Sequence, residues 1–110
     1  MDSLNRSETV PPIVLRQYGE FLSTRVIGED VRRLVEAIVE DGGEARIDFT
    51  GVDGITISFA DEVFGKLALK WGLERLRGAI RSRNAHDEIA RTISFAVNGR
   101  LSAPPARAAE

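Results

Sequence analysis

The stretch from Asp48 to Gly65 constrains the fold of this chain more than any other segment. It begins with the apolar end of a short strand, passes through a loop that contains Gly51 and Gly54, and takes up helical apolar spacing after Ser58. A loop that runs into a helix leaves the first N–H groups of that helix free, at the positive end of its dipole. We therefore expect the functional surface of the protein at this junction.

The composition argues against several classes of protein. The 110 residues suffice for one domain with a single core. The chain has no cysteine and His86 is its only histidine, so it lacks disulfides and the usual zinc ligands. The sequence shows no apolar run of membrane-spanning length, and its first residues lack the apolar segment of a signal peptide. We expect a cytoplasmic protein, and we predict no metal, no cofactor and no membrane partner.

Hydrophobic patterning predicts one domain over residues 11–101, between polar or Pro/Ala-rich tails at 1–10 and 102–110. The element order β(β)αβαβα predicts an α/β fold, with a small mixed β-sheet of about four strands and three helices largely on one face. The predicted strands are Ile13–Tyr18, Glu20–Arg25 returning after a turn at Gly19, Arg46–Phe49 and Gly78–Ser82. The predicted helices are Glu29–Asp41, Phe59–Gly72 and a last helix capped by Asn84, with Asp87 three residues on.

Two apolar side chains fall outside the predicted buried stripes of their helices. Leu69 lies opposite the stripe of Phe59, Val63 and Leu67, and Phe95 lies off the stripe of the last helix. We expect both side chains to be exposed. Gly65 lowers helix propensity by about 1 kcal/mol against alanine, so its place inside a helix predicts a close approach of that helix to a neighbouring element.

The Ser58 hydroxyl admits two interpretations. Ser58 and Asp61 have the spacing of a helix N-terminal cap, in which the serine oxygen accepts the N–H of the third helical residue. This interpretation gives Ser58 a purely structural role. The second interpretation follows from a resemblance to a known family.

The segment from Asp48 to Leu67 resembles the STAS family, the sulphate transporter and anti-sigma factor antagonist domains, and more closely its STAS-like relatives of unknown function. Those relatives show an Asp-Phe strand end, a Gly-Val turn and a helix start of the form Ile-x-x-Ser-Phe-Ala-Asp-Glu. Here these are Asp48–Phe49, Gly51–Val52 and Ile55–Glu62, and Gly65 follows. The order of elements agrees with the family over about residues 12–101.

The resemblance implies a non-catalytic regulatory module of bacterial cytoplasm, similar to an anti-sigma factor antagonist. Its implied partner is a histidine-kinase-like ATPase or an anti-sigma factor, and Ser58 matches the serine that such a partner phosphorylates. Thr56 is a second phosphoacceptor candidate. The predicted partner-docking residues are Thr50, Gly51, Val52, Asp53, Gly54, Ile55, Thr56, Ile57, Ser58, Asp61 and Glu62.

The chain also departs from the antagonist pattern. Thr56–Ala60 replaces the Asp-Ser-Ser-Gly-Leu that antagonists usually show. The carboxylates of Asp61 and Glu62 follow directly, and like-charge repulsion by them is expected to oppose a phosphate on Ser58.

Other functions remain open at this point. The sequence has no serine–histidine pair at a motif spacing, no phosphate loop and no dinucleotide fingerprint, so we predict no enzyme. The basic residues that follow Lys66 leave nucleotide binding as an alternative, whereas a nucleic-acid partner is not expected because no recognition motif accompanies the charge. A homo-oligomeric scaffold is a third possibility, with Leu69, Trp71 and Phe95 as its anchors.

Overall fold

A computed structural model describes residues 10–102, so both predicted tails lie outside the described residues except for residues 10 and 102. The predicted α/β class is confirmed, with differences in the number of strands and helices. The strands are β1 (Ile13–Val14), β2 (Phe21–Leu22), β3 (Ala45–Asp48), β4 (Gly54–Ile55) and β5 (Ile80–Arg83). The helices are α1 (Arg25–Glu40), the composite α2 (Ile57–Ala60, Asp61–Gly65 and Lys66–Trp71), α3 (Leu73–Ala79) and α4 (Asp87–Ser102).

The strands form two small parallel sheets and not one mixed sheet. The first has the order β1-β3-β5, and the second consists of β2 and β4. The predicted strand Ile13–Tyr18 is too long, because the chain leaves β1 after Val14 and enters a 3₁₀ turn at Leu15–Tyr18. The predicted return of the next strand is also wrong. Gly19, with a φ of 136°, redirects the chain so that β2 pairs in parallel with β4.

Helix α1 begins four residues before its predicted start, at Arg25. The reason is the preceding Thr24, whose Oγ1 accepts a hydrogen bond from the N–H of Ile27 at 3.1 Å. This bond satisfies one of the free donors of the first turn. The N-terminus of α1 therefore lies directly after β2, beside the start of α2.

Helix α2 lies at the centre of the core, in contact with α1 and α4. Its side chains Phe59, Val63 and Leu67 are fully buried. It begins at Ile57, and the side chain of Thr56 caps it by accepting from the N–H of Phe59 at 3.2 Å. The predicted capping role of Ser58 is wrong, because Thr56 is the last residue with extended backbone and Ser58 is already helical.

The central part of α2, Asp61–Gly65, is π-helical. The predicted close approach at Gly65 is confirmed, because a Cβ there would lie 3.0 Å from Cγ of Arg100 on α4. The predicted exposure of Leu69 and Phe95 is confirmed as well, at 55% and 63%.

The segment between α2 and α4 differs most from its prediction. A seven-residue helix, α3, follows Gly72 and occupies the start of the predicted strand, which begins only at Ile80. Asn84 does not cap the last helix, because α4 starts three residues later at Asp87. Asn84 has a φ of 63° and forms the turn after β5, where its side chain bonds back to the end of β3.

Candidate functional site

The N-termini of α1 and α2 lie side by side. The hydroxyl of Thr56, which caps α2, also donates a hydrogen bond to the carbonyl oxygen of Ser23, just before the cap of α1, at 3.2 Å. Farther along, Gly28 of α1 allows close contact with α2, since a Cβ there would lie 2.8 Å from Cβ of Glu62. Two positive dipole ends and their free N–H groups therefore converge next to Ser58.

Asp61 of α2 is held by arginines from both neighbouring helices. Arg100 of α4 donates from Nε to Oδ1 and from Nη2 to Oδ2, both at 2.7 Å. Arg25 of α1 donates from Nη1 to the same Oδ2 at 3.0 Å. The hydrogen bond from Arg100, more than any other contact, holds the pKa of Asp61 below its ordinary value.

Glu62 has only 5% of its surface exposed and is surrounded by cations. Its carboxylate accepts hydrogen bonds from Arg32 at 2.7 Å, and from Arg25 and Lys66 at 3.1 Å each. Burial raises the pKa of Glu62, but the hydrogen bonds from Lys66 and Arg25 outweigh it, so that the pKa is lowered. The carboxylates predicted to repel a phosphate on Ser58 are thus neutralised by their own partners.

Hydrogen bonds hold the loop from β3 to β4 in a defined shape. Oδ1 of Asp48 accepts from the backbone N–H of Thr50 at 3.0 Å and from its hydroxyl at 2.6 Å. Nδ2 of Asn84 donates to the same oxygen at 3.2 Å and to Oγ1 of Thr50 at 2.7 Å. The hydroxyl of Thr50, first among these donors, lowers the pKa of Asp48. On the far side of the loop, Nε2 of His86 lies 2.8 Å from the carbonyl oxygen of Asp53.

The predicted docking residues divide into an exposed and a buried set. Val52 and Ile55 belong to the hydrophobic core, Glu62 lies beneath its cations, and Gly54 lies under the ring of Phe21. Asp61 is largely covered by its two arginines. The residues that present surface to solvent are Thr50, Gly51, Asp53 and Ile57, with half-buried Thr56 and Ser58 beside them.

Sequence reasoning placed Ile57 on this surface but missed the groove that it forms with Phe95. Ile57 is 53% exposed although it begins a helix with a buried face, and Phe21 is exposed beside it. Ile57 and Phe95 line one open groove of about 500 Å³ between α2 and α4. The position of Phe95 off its helical stripe indicated its exposure, but no local pattern places it next to Ile57, which lies 38 residues earlier in the chain.

Two further properties concern residues 10–102 alone. Their histidine and carboxylate side chains form no group of three that could hold a metal ion. None of the helices in this range is both long enough and apolar enough to span a bilayer.

A family model described as a STAS-like domain of unknown function (DUF4325) matches residues 28–90. The matched range extends from the first turn of α1 to the first turn of α4, and it includes every predicted docking residue. No curated protein and no solved structure matched the chain.

Proposed function

Because the chain belongs to the family of STAS-like domains of unknown function, we propose that it is a non-catalytic, regulatory protein-interaction module similar to an anti-sigma factor antagonist. Its docking surface consists of Thr50, Gly51, Asp53, Ile57 and Ser58. The exposure of Ile57 carries the proposal, because this side chain lies at the edge of an open groove with exposed Phe95, where a protein partner can bury apolar surface. The partner is a histidine-kinase-like ATPase or an anti-sigma factor.

A phosphoryl group on Ser58 is the proposed switch of this contact. Ser58 lies one turn before Asp61 and Glu62, on the helix that begins beside the N-terminus of α1. Two dipole ends favour a dianion there. Arg25, with 51% of its side chain exposed, is shared between the two carboxylates. It can turn to a phosphate without leaving either carboxylate unpaired, because Asp61 keeps Arg100 and Glu62 keeps two other cations.

Thr56 is the less favourable phosphoacceptor. Its hydroxyl is already engaged as the cap of α2 and as a donor to Ser23. Esterification of this oxygen removes the donated hydrogen bond and places a bulky dianion between the two helix starts. A phosphate on Thr56 is therefore expected to disturb the fold, whereas one on Ser58 changes only the charge of the surface.

The partner can be identified by site-specific cross-linking in native cells. A photoreactive benzoylphenylalanine at position 53 lies on the proposed surface, and the same group at position 74 lies on exposed Glu74 of α3 as a matched control. We expect position 53 alone to give an adduct with an ATPase or sigma-factor regulator. Equal adducts from both positions, or none from position 53, would contradict the docking surface.

The switch is then tested on the identified partner. Ser58→Asp is expected to weaken the complex by at least about tenfold, whereas Ser58→Ala preserves it. Mass spectrometry of the protein from native cells completes the test. Absence of phosphate from Ser58 while the partner ATPase is active would rule out the switch and leave the docking surface standing.

A further inference from the structure

The outer face of α4 carries an unusual group of exposed side chains. Glu88, Arg91 and Phe95 are exposed and Thr92 is half-buried, at the spacing i, i+3, i+4 and i+7. These four residues therefore lie along one side of the helix. They line the same groove as Ile57 of α2. We call Glu88, Arg91, Thr92, Phe95 and Ile57 the α4 face.

The charged groups of the α4 face have no partner within residues 10–102. Neither the carboxylate of Glu88 nor the guanidinium of Arg91 forms an ion pair or a side-chain hydrogen bond there, although residues three apart on a helix are within reach of each other. The arginines on the neighbouring surface, Arg25 and Arg100, pair with carboxylates of α2 and not with Glu88. The face thus presents one free charge of each sign beside two exposed apolar side chains.

This arrangement is complementary to itself. We propose that the α4 face binds the α4 face of a second copy of this chain, around a two-fold axis perpendicular to the helix, so that the two α4 helices run antiparallel. In such an isologous contact Glu88 of each copy meets Arg91 of the other, which gives two equivalent ion pairs at the axis. Phe95 and Ile57 of each copy lie to one side of these pairs and extend the contact with apolar surface. The face carries no net charge, so two copies approach without electrostatic repulsion.

The same observations favour a second copy over a different partner. A different partner of one predominant charge would satisfy Glu88 or Arg91 and repel the other, whereas a copy satisfies both at once. Ile57 belongs to the α4 face and to the proposed docking surface. Self-association and docking of a regulator therefore exclude each other. The dimer itself does not depend on the proposed function.

Sedimentation velocity of the full chain at concentrations from about 5 to about 500 µM tests the apolar part of the proposal. We expect a reversible dimer. Phe95→Glu should abolish it, whereas Leu69→Glu should not, because Leu69 has nearly the same exposure but lies off the α4 face. Circular dichroism verifies that both variants fold. A monomer at every concentration, or a dimer that is sensitive to Leu69→Glu and insensitive to Phe95→Glu, overturns the proposal.

Charge reversal tests the two-fold geometry with substitutions of exposed residues that should leave the fold intact. Glu88→Arg places arginines opposite each other twice per dimer, and Arg91→Glu does the same with glutamates, so each variant alone should be monomeric. An equimolar mixture should form a heterodimer, because at both contacts an arginine of the Glu88→Arg variant then faces a glutamate of the Arg91→Glu variant. We expect the heterodimer to be at least about tenfold tighter than either homodimer. A mixture that stays monomeric, or variants that dimerise like the unmodified chain, refutes the pairing of Glu88 with Arg91.

Discussion

Replacing Gly28 by alanine should destabilise this protein, although the same substitution normally stabilises a helix. Alanine is favoured over glycine inside a helix by about 1 kcal/mol. At Gly28, however, the added Cβ would lie 2.8 Å from Cβ and 3.0 Å from Cγ of Glu62, and 3.3 Å from the carbonyl oxygen of Phe59. The Cβ and the carbonyl oxygen are fixed to the backbone of α2, so only a separation of α1 from α2 can relieve the contact.

The expected size of the effect follows from these two opposing terms. Overpacking of a tight contact costs about 1–3 kcal/mol, and the separation of the helices also lengthens the hydrogen bonds from Arg25 and Arg32 to Glu62. After the gain of about 1 kcal/mol in helix propensity, we expect a net loss of up to about 2 kcal/mol in the free energy of unfolding. For a domain of this size the melting temperature then falls by up to about 15 °C.

Thermal and urea unfolding, followed by circular dichroism at about 5 µM protein, measures this loss with a matched control. Gly99→Ala is the same substitution inside α4, where the added Cβ meets no heavy atom within 4 Å. We expect this control to raise stability by about 0.5–1 kcal/mol. If both variants are stabilised alike, α1 and α2 do not approach as closely as described. The convergence of their N-termini, on which the proposed switch depends, would be refuted with it.

Two further predictions concern the start and the centre of α2. Thr56→Ala should lower the free energy of unfolding by about 1 kcal/mol, because it removes the cap of α2, whereas Ser58→Ala should change it by less than about 0.5 kcal/mol. Chemical unfolding of the two variants decides which hydroxyl caps the helix. Because Arg100 lowers the pKa of Asp61, this carboxylate stabilises the fold fully above its unfolded pKa near about 4, and the contribution is lost as the pH falls through the lower folded pKa. Asp61→Asn should therefore reduce stability at neutral pH. In a plot of the urea unfolding midpoint against pH, the variant should also lose less stability at acidic pH than the unmodified chain, and an equal loss would contradict this role of the Arg100–Asp61 pair.

The sequence predicted those parts of the fold that depend on local patterns. The apolar spacing of α1 and α2 and the strand at residues 46–49 were visible because each is regular over its own length. The pairing of β2 with β4 was not, because Phe21 pairs with Gly54, which follows α1 and β3 in the chain, and no local feature distinguishes that partner from β1. Helix α3 was missed because seven residues are too few for a clear helical period.

In the candidate site, too, local features were predictable from the sequence and contacts between distant segments were not. Its position at the start of α2 was predicted from the loop and the helix signals that follow it. The choice of Thr56 over Ser58 as cap was not predictable, because the spacing of Ser58 and Asp61 favoured Ser58. It is the bond from the N–H of Thr56 to the carbonyl oxygen of Leu22 at 3.0 Å that keeps the backbone extended until Thr56. The arginines that neutralise Asp61 come from positions 36 and 39 residues away, beyond any local pattern.

The π-helical turn at Asp61–Gly65 gives α2 a phase that a regular α-helix of the same sequence would lack. Such a turn holds one residue more than the α-helical ladder needs, and one residue corresponds to a rotation of about 100°. Deleting a single residue within it would restore an unbroken α-helical ladder and leave Phe59 and Leu67 in their present directions. A regular α-helix through all the residues of α2 would instead rotate the first turn, with Ser58, by about 100° relative to Leu67. The length of this one turn thus sets the direction in which the protein presents its serine.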